Sequence, residues 1–180
     1  MVCTGNACRS PMAAAILQQR LAERGVDARV TSAGTLPWSA GATDTAVAVM
    51  REHGLDISGH ENRQVTRELV EDADLVLGMT REHVSIAAAR SPGARGRIFL
   101  VGELARLGAD IGPRAASAPV TRWAERAAAV RPLRRPLGRA VDEIADPVGE
   151  PIEVYRRTAA QLDDRLTEIA ALLAGVPTLA

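Results

Sequence analysis

Nine residues near the start of the chain, Cys3-Thr4-Gly5-Asn6-Ala7-Cys8-Arg9-Ser10-Pro11, combine types that could do covalent chemistry on an anion. Cys3 offers a thiol nucleophile, and Gly5 and Asn6 tolerate the left-handed backbone that a tight loop needs. Ser10-Pro11 reads as a helix start, with Ser10 as the cap and Pro11 at the first helical position. Such a loop can turn its backbone N–H groups on an anion while the helix aims its positive end at the same point. The helix end, the amides and Arg9 all favour a thiolate at Cys3, and the Ser10 hydroxyl can donate to that sulfur. Arg9 can grip two oxygens of a phosphate-like group with its planar fork, as a lysine could not. All 22 Lys and Arg residues of the chain are arginine, so the Cys3–Arg9 spacing alone is a weak motif. Gly5, Asn6, Ser10 and Pro11 strengthen it, because each answers a separate demand of loop geometry or capping. The competing reading of Cys3 is a small buried hydrophobe at a strand end.

Transfer of a phosphoryl group from an ester also needs an acid for the leaving oxygen, and Asp146-Pro147 is the candidate. The proline fixes the loop and keeps Asp146 outside regular structure, where its side chain could swing over the cradle. Turns use Asp-Pro freely, so the pair alone says little. Cys8 lies near enough in sequence to bridge Cys3 if the loop relaxes, which would make the two a reversible redox pair; a packing thiol is the alternative.

The elements that must position these groups follow from pattern. Pro11 starts a helix to about Arg24, with Met12, Ile16 and Leu17 on its apolar side and Gly25 closing it. Ala28–Ser32 reads as a strand, Gly34–Gly41 as turns carrying Trp38, and Asp44–His53 as a helix stopped by Gly54. Thr66–Ala73 reads as a short helix and Asp74–Met79 as a strand buried on both faces. Thr80 caps a helix through about Arg90, and Arg97–Val101 is a further strand. Strands alternating with helices predict a parallel sheet flanked by helices, with Cys3 at a strand's carboxyl end, where such sheets bind ligands. From Pro151, Ile152, Tyr155, Ala159, Leu162, Leu166, Ile169 and Leu173 recur at spacings of three and four, one apolar stripe on a long helix. That stripe is expected to pack on the chain's own sheet, with a coiled coil as the alternative.

A chain of 180 residues suits a single domain, 1–180. Its 47% hydrophobic and 24% charged residues disfavour the disordered and membrane classes, and a formal net charge of zero argues against nucleic acid as the main partner. No signal-like start or membrane-length apolar run is visible, so a soluble cytoplasmic protein is expected. Two cysteines five positions apart form no secreted disulfide framework, and with the zinc spacings absent and three scattered histidines, no metal or other cofactor is expected. The stretch 102–145 is rich in proline and arginine, including Pro113, Pro119, Pro132, Pro136, Arg131, Arg134, Arg135 and Arg139. It reads as a solvated surface insertion with one short helix around Arg122–Val130, or else as a mobile basic flap.

The loop Cys3–Pro11 resembles the active-site loop of the low-molecular-weight protein tyrosine phosphatases, including that family's second cysteine at Cys8. The resemblance continues at Ser32-Ala33-Gly34-Thr35, Trp38, Gly59-His60 with Arg63-Gln64, Asp74–His83 and Asp146-Pro147, and is poor from about Gly102 to Ala145. It implies an α/β, three-layer fold with a four-stranded parallel sheet, helices on both faces and a central first strand. Only Met1 and Val2 precede Cys3, so that strand is truncated. Either the start lies inside the true one, which is the expectation, or the sheet has a gap, an arrangement disfavoured because buried strand edges without partners are rare.

For function, the resemblance implies a hydrolase that removes the phosphoryl group of phosphotyrosine through a phosphocysteine intermediate. Cys3 is then the nucleophile, Arg9 the phosphate clamp and Asp146 the acid. Thr4, Gly5, Asn6, Ala7, Cys8 and Ser10 form the substrate-binding loop, with Trp38 on the pocket rim. Ser32 and His60 stand where the family supports the loop asparagine, although His60 also reads as a surface histidine; His53 and His83 have no assigned task. A monomer acting on a phosphorylated protein, with a tyrosine kinase as counterpart, completes the picture. Ala7 and Val148 depart from the tyrosine-phosphatase pattern, and the run from Asp146 to Tyr155 also resembles the arginine phosphatases of this fold. Two further rivals are arsenate reductase, which usually needs more cysteines, and a catalytically dead phosphoprotein-binding module, against which the intact Cys3, Arg9 and Asp146 argue.

Overall fold

The computed structural model describes residues 1–132 and 138–175. Four short parallel strands, β1 (Val2–Cys3), β2 (Ala33–Gly34), β3 (Val76–Gly78) and β4 (Ile98–Leu100), lie in the spatial order β2-β1-β3-β4. Val2 pairs with both Ala33 and Gly78, so the two residues of β1 hold the central slot, and Val76–Gly78 pair with Ile98–Leu100. Side chains alternate across such a sheet. Val76, Ile98 and Leu100 accordingly pack in one cluster with Val70, Val84, Ala87 and Ala94, while Leu77 and Phe99 pack in the other with Met12, Ile16, Leu104 and Leu166. The first face carries helices α3 (Arg67–Asp72) and α4 (Arg81–Arg90); the second carries α1 (Arg9–Ala22), α2 (Asp44–Glu52), α5 (Val101–Ile111), α6 (Val120–Ala129) and α7 (Ile152–Ala174). The three-layer α/β expectation is met.

Three local expectations are corrected. The strand read at Ala28–Ser32 lies instead at Ala33–Gly34, because a strand needs a paired neighbour and β1 offers only Val2 and Cys3. Ser10 does not cap α1: Cys8 takes that position and Arg9 is the first helical residue, which frees the Ser10 hydroxyl for the site. Nor is 102–145 a wholly solvated insertion. Leu104, Leu107, Trp123, Ala124 and Ala127 are buried, and Trp123 Nε1 donates to the Gly112 carbonyl at 2.9 Å. Its prolines and arginines suggested a solvated segment, yet Pro113 and Pro119 lie between α5 and α6, and two of its glycines serve close packing. A Cβ on Gly102 would stand 2.7 Å from the Asp142 carbonyl oxygen, and one on Gly108 would stand 3.0 Å from Trp123. Arg131 pairs with buried Glu103 at 2.8 Å and lies over the Phe99 ring, and Arg139 pairs with Asp142. These two arginines are therefore committed internally; Arg134, Arg135 and Pro136 fall outside the described residues.

On α7, Tyr155, Ala159, Leu162, Leu166, Ile169 and Leu173 are buried as the stripe predicts. They pack against α1, α5 and α2, in the same apolar cluster as Leu77 and Phe99 of the sheet. No described helix is long and apolar enough to cross a membrane.

Candidate active site

The loop after β1 is organised by its carbonyls. Cys3 O accepts from Thr35 N at 2.9 Å, Thr4 O from Leu36 N at 2.9 Å, Ala7 O from Thr43 N at 2.8 Å and Cys8 O from Met12 N at 3.0 Å. Gly5 O accepts from Asn62 Nδ2 at 2.9 Å and Asn6 O from His60 Nε2 at 2.8 Å. Six consecutive carbonyls are thus tied to the surrounding protein. Peptide units are planar and trans, so each following N–H points away from its tied carbonyl, which leaves it available to an anion seated in the loop. The α1 N-terminus closes that loop with no acidic residue in its first turn, so its positive end is uncompensated from within the helix. Gly34 lets β2 approach the loop: a Cβ there would lie 2.7 Å from Thr4 O and 3.0 Å from Asn6 N.

Asn6 takes φ = 56°, and among the described residues it is the one non-glycine with positive φ. Its side chain holds this left-handed turn. Nδ2 donates to Ser10 Oγ at 2.9 Å and to Ser32 Oγ at 2.8 Å, while Oδ1 accepts from Arg63 N at 3.2 Å. Ser10 Oγ lies 2.9 Å from Cys3 Sγ. With Asn6 Nδ2 donating to that oxygen, the hydroxyl proton is free to be donated to the sulfur. Cys3, Asn6, Ser10, Ser32 and His60 are thereby joined in one hydrogen-bonded network.

Arg9 is 2% exposed, and three groups compensate its buried charge. Nη1 donates to Ile144 O at 3.2 Å, and Nη2 donates to Thr4 Oγ1 at 3.2 Å and pairs with the Asp146 carboxylate. Arg9 Nε is buried with no hydrogen-bond partner among the described residues, which leaves a donor for a ligand oxygen. The segment carrying Asp146 is tied to the sheet by Ile144 N donating to Met79 O at 2.8 Å, and to α4 by the Arg81–Glu143 pair. Asp146 itself remains substantially exposed, and its Oδ1 accepts from Val148 N at 3.3 Å and lies 3.6 Å from Cys8 Sγ.

Both cysteines are free and buried. Burial, then the negative charge of Asp146, pushes the Cys8 thiol up to about 12, so Cys8 stays protonated beside the nucleophile. Trp38 covers Gly5, since a Cβ built there would lie 3.4 Å from the indole. Trp38, Leu36 and Val148 are exposed apolar side chains, the first two on the segment joined to Thr4 O and the third two residues beyond Asp146. Ala7 is buried in the loop.

Sequence reasoning missed Asn62, Thr43 and His83. Asn62 and Thr43 act through loop carbonyls, which any donor could reach, so their identities carry no signal. His83 could have been found, for it sits three residues after the cap residue Thr80, where a side chain can reach back to the cap amide. Its Nδ1 accepts from Thr80 N at 3.1 Å and its Nε2 lies 3.0 Å from Thr4 Oγ1. No group of three or more His, Cys, Asp or Glu among the described residues is arranged to hold a metal ion.

A family model described as low molecular weight phosphotyrosine protein phosphatase matches residues 1–108. The probable low-molecular-weight protein-tyrosine-phosphatase EpsP of Ralstonia solanacearum is 44% identical over 111 residues, 61% of this chain and 74% of the relative. The protein-arginine-phosphatase of Bacillus subtilis is 30% identical over 173 residues, 96% of this chain and 93% of that one. Among solved structures, a low molecular weight protein tyrosine phosphatase from T. tengcongensis superposes with a TM-score of 0.71 at 29% identity, covering 96% of each chain.

Proposed function

The chain belongs to the low-molecular-weight phosphotyrosine protein phosphatase family, and from that premise we propose that it hydrolyses phosphotyrosine on proteins through a phosphocysteine intermediate. The observation that carries this reading is the ring of six outward-tied carbonyls around Cys3, whose amides suit a tetrahedral dianion. In the first step the Cys3 thiolate attacks phosphorus, the bond from phosphorus to the phenolic oxygen breaks, and Asp146 gives that oxygen its proton. The loop amides and the α1 terminus stabilise charge on the equatorial oxygens without reorganising. Arg9 meets the phosphoryl group with its unpartnered Nε and with the Nη2 now paired to Asp146. An incoming phosphate competes for that guanidinium, which frees the Asp146 carboxylate to take a proton from water or from the phosphate monoanion and carry it to the leaving oxygen. In the second step water attacks phosphorus, Asp146 takes a proton from it, and the sulfur–phosphorus bond breaks to return Cys3 and inorganic phosphate.

Trp38, Leu36 and Val148 offer apolar surface for a phenyl ring. The covered stripe of α7 supports action as a monomer, and the free thiols suit the cytoplasm. A protein arginine phosphatase is the second reading, favoured by the match to the Bacillus subtilis enzyme across 96% of the chain. Purified protein assayed on phosphotyrosyl, phosphoarginyl and phosphoseryl peptides, and on arsenate with thiols, separates the readings. Fastest turnover of phosphotyrosine, lost in Cys3→Ser, is expected. Preference for phosphoarginine moves the assignment to the second reading, and turnover surviving in Cys3→Ser removes the proposed mechanism.

A further inference from the structure

We propose that His83 is a positioning residue for phosphoryl transfer, holding the Arg9 guanidinium in place through the Thr4 hydroxyl; this rests on the phosphatase reading above. His83 is 2% exposed and stands in the first turn of α4, remote in sequence from the loop it touches. A backbone N–H can only donate, so the bond from Thr80 N makes His83 Nδ1 an acceptor, and the Thr80 hydroxyl, 2.9 Å from the same nitrogen, is then a donor to it as well. In the neutral ring Nε2 then carries the hydrogen and donates it to Thr4 Oγ1 at 3.0 Å. Thr4 Oγ1 also accepts from Arg9 Nη2 at 3.2 Å, so two donors fix this oxygen.

The usual residue for reaching back to a cap amide is Glu or Gln. A glutamate at position 83 would satisfy the Thr80 amide, yet it would bring Thr4 no donor and would set a second carboxylate near Arg9. Imidazole caps with one nitrogen and donates with the other. Burial, then the positive charge of Arg9, holds His83 down to about 4, against the opposing pull of Asp146 and Glu143, so the ring stays neutral at the guanidinium.

The arrangement matters most once substrate is bound. Among the described residues Arg9 has three partners, Asp146, Ile144 O and Thr4. The mechanism takes Asp146 away, and the Ile144 carbonyl holds only Nη1. Thr4, fixed by His83, is then the one side-chain partner left on Nη2, the nitrogen that turns to the phosphoryl group.

The test uses the full chain with His83→Asn, His83→Gln, Thr4→Val and the double variant His83→Asn/Thr4→Val. Steady-state kinetics on a phosphotyrosyl peptide, binding of inorganic phosphate and thermal unfolding are measured together. Asparagine keeps an acceptor for the Thr80 amide but is too short for Thr4, whereas glutamine reaches Thr4 with an N–H. His83→Asn is expected to lower kcat/KM and weaken phosphate binding by about ten-fold each, the scale of one hydrogen bond to a charge-bearing network, with the melting midpoint unchanged. Glutamine recovers most of the loss. Thr4→Val loses as much, and adding His83→Asn to it costs nothing more. Wild-type phosphate binding in His83→Asn, equal loss in Gln and Asn, or losses that add in the double variant would each overturn the proposal. Should His83→Asn melt lower, Thr4→Val decides, since it leaves the α4 cap untouched: wild-type constants there also overturn it. Wild-type protein that binds phosphate but turns over no phosphopeptide refutes the phosphatase reading instead.

Discussion

At the scale of single residues, the site is a set of polar atoms each given one task by a neighbour. Asp146 is the ion-pair partner of Arg9 and, in the proposed mechanism, also the acid, and the two tasks respond differently to substitution. Asp146→Asn removes the proton donor, so turnover of a phosphotyrosyl peptide should drop about a hundred- to ten-thousand-fold, with a much smaller loss on an ester whose leaving group needs no proton. The same change removes the competitor for Arg9, so phosphate inhibition should be no weaker than in wild type. Steady-state assays on both ester types, with phosphate as inhibitor, check this; equal losses on both esters would take the acid role from Asp146. Cys3 and Arg9 could be picked out as candidates from the residue types and spacing of their loop, whereas Asp146 stood out only through the family resemblance, since turns use Asp-Pro freely; the structure brings Asp146 to Arg9. Ser10 was legible as a donor to the Cys3 sulfur but misread as the α1 cap, for a serine before proline looks like a helix start, and Cys8 takes that position instead.

Among the elements, α4 shows how a helix start serves both stability and the site. Its first turn is closed by neutral His83, whose ordinary value of 6.5 is lowered to about 4 in the fold. Between those values the unfolded chain takes up a proton that the folded chain refuses, so stability is complete above about pH 6.5 and declines as pH falls toward 4. The contribution is at most ~3 kcal/mol. Urea unfolding at about pH 7 and about pH 4.5 should show a larger loss for wild type than for His83→Asn; parallel losses would contradict this. Elements with clear periodicity, such as α1 and α7, were legible. The strand read at Ala28–Ser32 was not, because pairing partners decide strand bounds. Helix α5 was hidden because it starts directly at the end of β4 and carries Gly102 and Gly108, which mark close packing instead of a loop.

For the molecule as a whole, α/β alternation and the long apolar stripe announced the architecture, while the long-range bonds that shape the cradle could not be read from it. Thr35, Leu36, Thr43, His60 and Asn62 reach the loop from separate segments, and the fold alone brings them to it. Two packed faces hold β1 between β2 and β3, so the loop that follows is anchored at its root by the sheet and at its end by α1. That anchoring suits the proposed role of the amides, which is to meet a developing charge without rearranging. The most direct test is to quench phosphotyrosyl-peptide turnover rapidly and search the chain by mass spectrometry for a covalent phosphoryl group. One phosphoryl group per chain, on Cys3 and formed no more slowly than product is released, is the expected result. Turnover with the group on another residue, or with none on Cys3 at any time, would contradict the account.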